Sequence, residues 1–123
     1  MFVPISSTRG VKLYATKTER DFAFDMQCLA SEKKLGPKTF EVFSIRTTPI
    51  SRVNDLGRKI KFRYGYVTQI AKPVRRLTEK KLKSLLKRLN RNGFATGDIH
   101  YGNIGYLGHN LVCIDFDWVS QNC

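Results

Sequence analysis

Between Thr78 and Gly93 the chain reads TEKKLKSLLKRLNRNG, with Leu82, Leu85, Leu86 and Leu89 at the three- and four-residue steps that line one face of an α-helix. Lys80, Lys81, Lys83, Lys87, Arg88 and Arg91 occupy the other faces. Thr78 opens this helix, Leu77 and Leu82 are placed to staple its first turn, and Asn92-Gly93 closes it. A helix with one apolar stripe must lay that stripe on another element. The rest of the chain has to supply it.

Most of that supply reads as β-structure. GVKLYA (10–15) alternates Val11, Leu13 and Ala15 with Lys12 and Tyr14, the two-residue period of a strand. TFEVFSI (39–45) and KFRYGYVTQIA (61–71) are further strand-like runs, separated by RTTPISRVNDLGRK, a polar, turn-rich surface connection. Near the C-terminus, Asn103 to Leu107 and Leu111 to Phe116 flank Gly108-His109-Asn110, a hairpin turn. A second helix starts at Thr18, where Thr18 and Asp21 resemble a capping box and Phe22, Met26, Leu29 and Ala30 recur at helical spacing. Gly36-Pro37 ends it. The resulting order is strand, helix, two strands, helix and hairpin, an α+β plan.

With 123 residues the chain makes one domain, or two very small lobes that share a core. Its 22 Lys+Arg against 10 Asp+Glu, a net charge of +12, favour polyanionic partners: nucleotide, nucleic acid or an acidic protein surface. Cys28, Cys113 and Cys123 are scattered and odd in number, which speaks against a disulfide framework and for a reducing, cytoplasmic setting. No apolar run approaches membrane-spanning length and the start MFVPISSTRG has no signal core. The small size points toward a viral or mobile-element protein acting in a host cell.

Three of the acids, Asp98, Asp115 and Asp117, lie in TGDIHYGNIGYLGHNLVCIDFDW (96–118) among apolar or small residues, with no adjacent Lys or Arg. Asp98, Asn103 and Asp115 are oxygen donors suited to a hard cation such as Mg²⁺, which takes few protein carboxylates and completes its shell with water and phosphate oxygens. Lys12, far off in sequence, has the charge that a nucleotide phosphate needs. Zinc binding by His109 and Cys113 with Asp115 or Cys123 fits no standard spacing.

Taken together, a lysine on a strand, a helix, two strands, a leucine-striped helix, TGDIHYGN and IDFD resemble the protein-kinase-like fold, most of all its aminoglycoside phosphotransferase and small-molecule kinase branch. There the catalytic loop is commonly H-G-D-L-H-x-x-N and the metal motif I-D-F/W-D/E. The resemblance covers about residues 9 to 118 and is most specific in the last third, where Asp115 follows Asn103 by twelve residues. It implies a minimal kinase-like fold with a reduced N-lobe at 1–71 and a truncated C-lobe at 72–123.

What the resemblance implies for individual residues follows from those motifs. Lys12 would hold the α/β-phosphates of ATP, and Asp25, or alternatively Glu19, would be its acidic partner on the first helix. Asp98 would be the catalytic base, His100 would lie near the transferring phosphate, and Asn103 and Asp115 would bind Mg²⁺. Gln69, Ile70 and Ala71 would form the interlobe hinge whose backbone bonds adenine. Asp117 stands where small-molecule kinases carry an acid.

Three departures accompany the match. Thr96 stands where the family has the leading histidine, only eleven residues precede Lys12, which leaves no room for a glycine-rich flap, and the sequence stops shortly after IDFD. The expected function is ATP- and Mg-dependent transfer of the γ-phosphate to an unknown acceptor, for which a protein partner would complete the site. Two alternatives stand beside it: a catalytically inactive kinase-like module that binds a partner protein, and a nucleic-acid-binding protein acting through the basic helix 79–91.

Overall fold

The computed structural model describes residues 1–96, 99 and 101–114. Its first sheet joins β1 (Phe2–Pro4), β2 (Arg9–Tyr14), β3 (Thr39–Ser44) and β6 (Tyr64–Gln69) in the order β1-β2-β6-β3, with every neighbour antiparallel. β2 pairs with β6 along its whole length, from Arg9 opposite Gln69 to Tyr14 opposite Tyr64. Leu13 and Tyr66 are fully buried in this sheet.

Helix α1 (Lys17–Glu32) connects β2 to β3 and buries Arg20, Ala23, Met26, Gln27 and Ala30. Its start corrects the expected cap. Thr16, two residues before Thr18, has extended backbone, and its hydroxyl accepts from the Glu19 amide at 3.2 Å. Both threonines of TKTE stand three residues before an acid, Glu19 and Asp21, and the earlier one forms the cap. Arg20 ties the helix to the sheet: its Nε donates to Asp21 at 2.6 Å and its Nη1 donates to the Phe43 and Gly65 carbonyls.

The connection 46–59 is also corrected. Ile50–Val53 is a strand, β4, paired antiparallel with β5 (Lys59–Phe62) in a two-stranded sheet of their own. Asn54 builds the turn between them, its Oδ1 accepting from the Leu56 and Arg58 amides, and Gly57 adopts φ +75°. The expected single strand 61–71 therefore breaks at Arg63, whose amide donates to the Tyr14 carbonyl at 3.2 Å while the chain turns from one sheet into the other.

Two residues after β6, β7 (Lys72–Pro73) is followed by α2 (Glu79–Arg91), capped by the Thr78 hydroxyl accepting from the Lys81 amide at 3.2 Å. A 3-10 turn (Tyr101–Asn103) then leads into the hairpin β8 (Ile104–Leu107) and β9 (Asn110–Cys113), and β7, β8 and β9 form a third antiparallel sheet. Here sequence and fold agree: α2 starts after Thr78, Gly93 adopts φ +86° at its end, and Gly108, at φ +62°, turns the hairpin.

One core holds both halves of the chain. Met26, Ala30 and Leu35 pack with Leu85 and Leu89 of α2, Phe94, and Ile104, Leu111 and Cys113 of the hairpin. The end of α1 is pinned by polar contacts as well. The Lys34 carbonyl accepts from Arg88 and Asn110, and the Cys113 amide donates to the Leu35 carbonyl at 2.9 Å. No helix among the described residues is long and apolar enough to cross a membrane.

Candidate functional site

Between the first sheet and the C-terminal hairpin lies a cavity of about 350 Å³, of a size that suits a small ligand. Lys12 and Tyr14 line it from β2, Phe2 from β1, residues 68–71 from the end of β6 and the two residues after it, Gly102 from the 3-10 turn before β8, and Ile114 from just past β9. The expected nucleotide-contacting residues Lys12, Gln69, Ile70 and Ala71 all lie on its wall.

Lys12 places a side-chain ammonium on this cavity wall. Its Nζ donates to the Ile114 carbonyl at 2.6 Å and to Gln27 Oε1 at 3.1 Å. The α1 side chain that meets it is therefore Gln27, whereas Asp25 and Glu19 are solvent-exposed. The reason is helical phase. Asp25 lies two residues from Gln27, a step of about 200° around a helix, and so points away when Gln27 faces the sheet.

Gln27 organises the wall behind Lys12. It is fully buried, and its amide uses all of its polar capacity: Nε2 donates to the Pro37 carbonyl at 3.0 Å and to Thr68 Oγ1 at 2.7 Å, while Oε1 accepts from Lys12 and from the Tyr66 hydroxyl at 2.7 Å. Sequence reasoning missed this residue. A lone glutamine in a helix carries no motif, and its four partners come from three other segments.

The backbone of the segment expected as the hinge, 69–71, is partly committed. The Gln69 amide donates to the Lys38 carbonyl at 2.9 Å and the Ile70 amide to the Thr8 carbonyl at 2.8 Å. Those two donors serve the fold, and adenine recognition by them is not compatible with these bonds. Gly105 of β8 lets the hairpin approach this segment closely: a Cβ there would come within 2.8 Å of Ala71 Cβ and 2.9 Å of the Lys72 carbonyl oxygen.

Asn103 is buried at the entry to β8, and its carbonyl accepts from the Ile114 amide at 2.8 Å. The hairpin thus sets Asn103 beside Ile114, the residue that also receives Lys12. Asp98, His100 and Asp115, the other expected catalytic and metal-binding residues, lie outside the described residues. Among the described residues no three of His, Cys, Asp and Glu gather as a metal site.

Comparison with protein-family models, curated proteins and solved structures returns no match for this chain.

Proposed function

We propose that the chain is a minimal kinase-like phosphotransferase, binding ATP with Mg²⁺ in the cavity between the first sheet and the C-terminal hairpin. The observation that carries this reading is the position of Lys12: a cation on the cavity wall, tied to the carbonyl of Ile114, with the hinge segment 69–71 on the same wall. An antiparallel sheet, a helix behind its lysine strand, a leucine-striped helix and a small hairpin in that order support it further.

In this reading Lys12 holds the nucleotide phosphates and Gln27 holds Lys12 in place. The apolar wall provided by Phe2, Ile70 and Ala71 excludes water from the base. An amide oxygen from Asn103 and a carboxylate from Asp115 are donors that suit Mg²⁺, which would neutralise phosphate charge when bound. Asp98 would accept the acceptor's hydroxyl proton.

A second reading, a binding module without turnover, draws on Gln27. A neutral amide meets Lys12 where an acid would be expected, and it anchors the lysine without adding the negative charge that a kinase helix supplies. Calorimetric titration with ATP, with and without Mg²⁺, on the wild type, Lys12→Met and Asp115→Asn tests the nucleotide site. One-to-one binding that needs Mg²⁺ and both side chains supports it, and heat that vanishes with salt and ignores both substitutions defeats it. Transfer of labelled γ-phosphate that is lost in Asp98→Asn would then separate the enzyme from the binding module.

A further inference from the structure

The ribbon formed by β4 and β5 makes its own sheet, and every residue of β4 is exposed. Isolated two-stranded ribbons are marginal in water and gain stability from what they pack against. This one is held at its base, where Arg63 Nη1 donates to the carbonyls of Ile45 and Thr47, and at its turn by Asn54. It is built to project.

Its chemistry is one-sided in charge. Residues 46–63 carry Arg46, Arg52, Arg58, Lys59, Lys61 and Arg63 against the single acid Asp55. Among the described residues the ion pairs are Arg20–Asp21 and Lys83–Glu79, so none of these cations is neutralised by such a pair. The register puts Ser51, Val53, Lys59 and Lys61 on one face, while Ile60 and Phe62 lie half-buried on the other with Ile50 and Arg52. Leu56, 80% exposed, stands at the tip.

We propose that this ribbon is a DNA-binding arm that enters the major groove of a duplex. A pair of strands about 4.8 Å apart, with side chains, fits a groove about 12 Å wide, whereas the deep, narrow major groove of duplex RNA does not admit it. Lys59, Lys61 and Arg58 meet phosphates, and the Leu56 tip makes apolar contact with the base edges. The charge of the exposed face is complementary to the phosphate backbone. The arm is separate from the cavity and from α2, and it stands independently of the nucleotide reading.

Fluorescence anisotropy with a labelled mixed-sequence DNA duplex of about two helical turns, titrated between about 50 and 200 mM salt, tests the arm. The variant Arg58→Ala/Lys59→Ala/Lys61→Ala is expected to bind at least tenfold more weakly, with the salt slope reduced by roughly 0.9 per lost phosphate contact. Lys80→Ala/Lys83→Ala/Lys87→Ala removes the same charge from α2 and is expected to lose less than about threefold, as a non-specific background. Leu56→Ser should weaken binding with the salt slope unchanged, and it serves if the triple ribbon variant does not fold. Equal losses from both triple variants, wild-type-like binding by the ribbon variants, tighter binding of an RNA duplex or an acidic peptide, or no duplex binding by the wild type would each overturn the proposal.

Discussion

The Lys12 ammonium lies 2.6 Å from the Ile114 carbonyl oxygen, a hydrogen bond that spans 102 residues of sequence. It joins β2 of the first sheet to the strand leading into IDFD, and both residues line the same cavity. A side chain that closes such a contact is at once a fold element and a cation on the cavity wall. Substitution should separate the two roles.

Lys12→Met keeps the length and apolar stem of the side chain and removes only the ammonium. Hydrogen bonds from charged donors contribute about 1.5–3 kcal/mol each way between presence and absence. If the nucleotide reading holds, ATP affinity should fall by more than tenfold in calorimetry while the far-UV circular dichroism stays native. Unchanged ATP affinity would remove Lys12 from the phosphate site.

Gln27 makes the opposite case, a residue whose effect is structural first. Gln27→Ala leaves Thr68, Tyr66 and the Pro37 carbonyl without their buried partner and should cost about 2–4 kcal/mol in urea unfolding. Gln27→Glu is the sharper test. It would place an acid on α1 beside Lys12, but the carboxylate would face the Pro37 carbonyl oxygen, now 3.0 Å from the amide nitrogen, with no proton to donate. Gln27→Glu should therefore also destabilise. A variant as stable as the wild type would mean that the Lys12 pairing outweighs the lost amide bonds.

Elements marked by local chemistry were readable before the fold. The leucine stripe located α2, and the Gly108-His109 turn located the last hairpin, because a stripe and a positive-φ glycine are each written in a few adjacent residues. Of the residues that the resemblance groups around a nucleotide, Lys12, Gln69, Ile70 and Ala71 share the cavity wall and Asp25 does not. The partner of Lys12 was not. Gln27 takes its importance from contacts 10 to 41 residues away, and no local pattern reports those. The β4–β5 ribbon was hidden for another reason: β4, exposed throughout, shows no buried period, and Thr47, Thr48, Pro49 and Asn54 around it resemble a loop.

The start of α1 shows how close two local signals can lie. Thr16 and Thr18 both precede an acid by three residues, Glu19 and Asp21 respectively, yet only Thr16 has its hydroxyl on a helix amide. Thr16→Ala should lower stability by about 1 kcal/mol, the usual worth of an N-cap, and Thr18→Ala should change it by less than half of that. Paired thermal melts decide between them. Equal losses would mean that Thr16 is not the distinct cap of α1.

Gly105 offers a test of how the hinge and the hairpin share the cavity. Its missing side chain is what lets β8 pair with β7, with Gly105 opposite Pro73, and bring the hairpin against Ala71. A methyl group there would lie 2.9 Å from the Lys72 carbonyl oxygen, a backbone atom that cannot swing aside as a long side chain can. Gly105→Ala must therefore push β8 away from the hinge or strain both, at about 1–3 kcal/mol in unfolding experiments. The displacement would move Gly102 and Ile114, on either side of the hairpin, relative to Lys12 and the hinge. If the cavity is the ligand site, ATP affinity in Gly105→Ala should fall although no residue that contacts the ligand has been changed. Loss of stability with affinity intact would show that the β7–β8 pairing serves the fold alone.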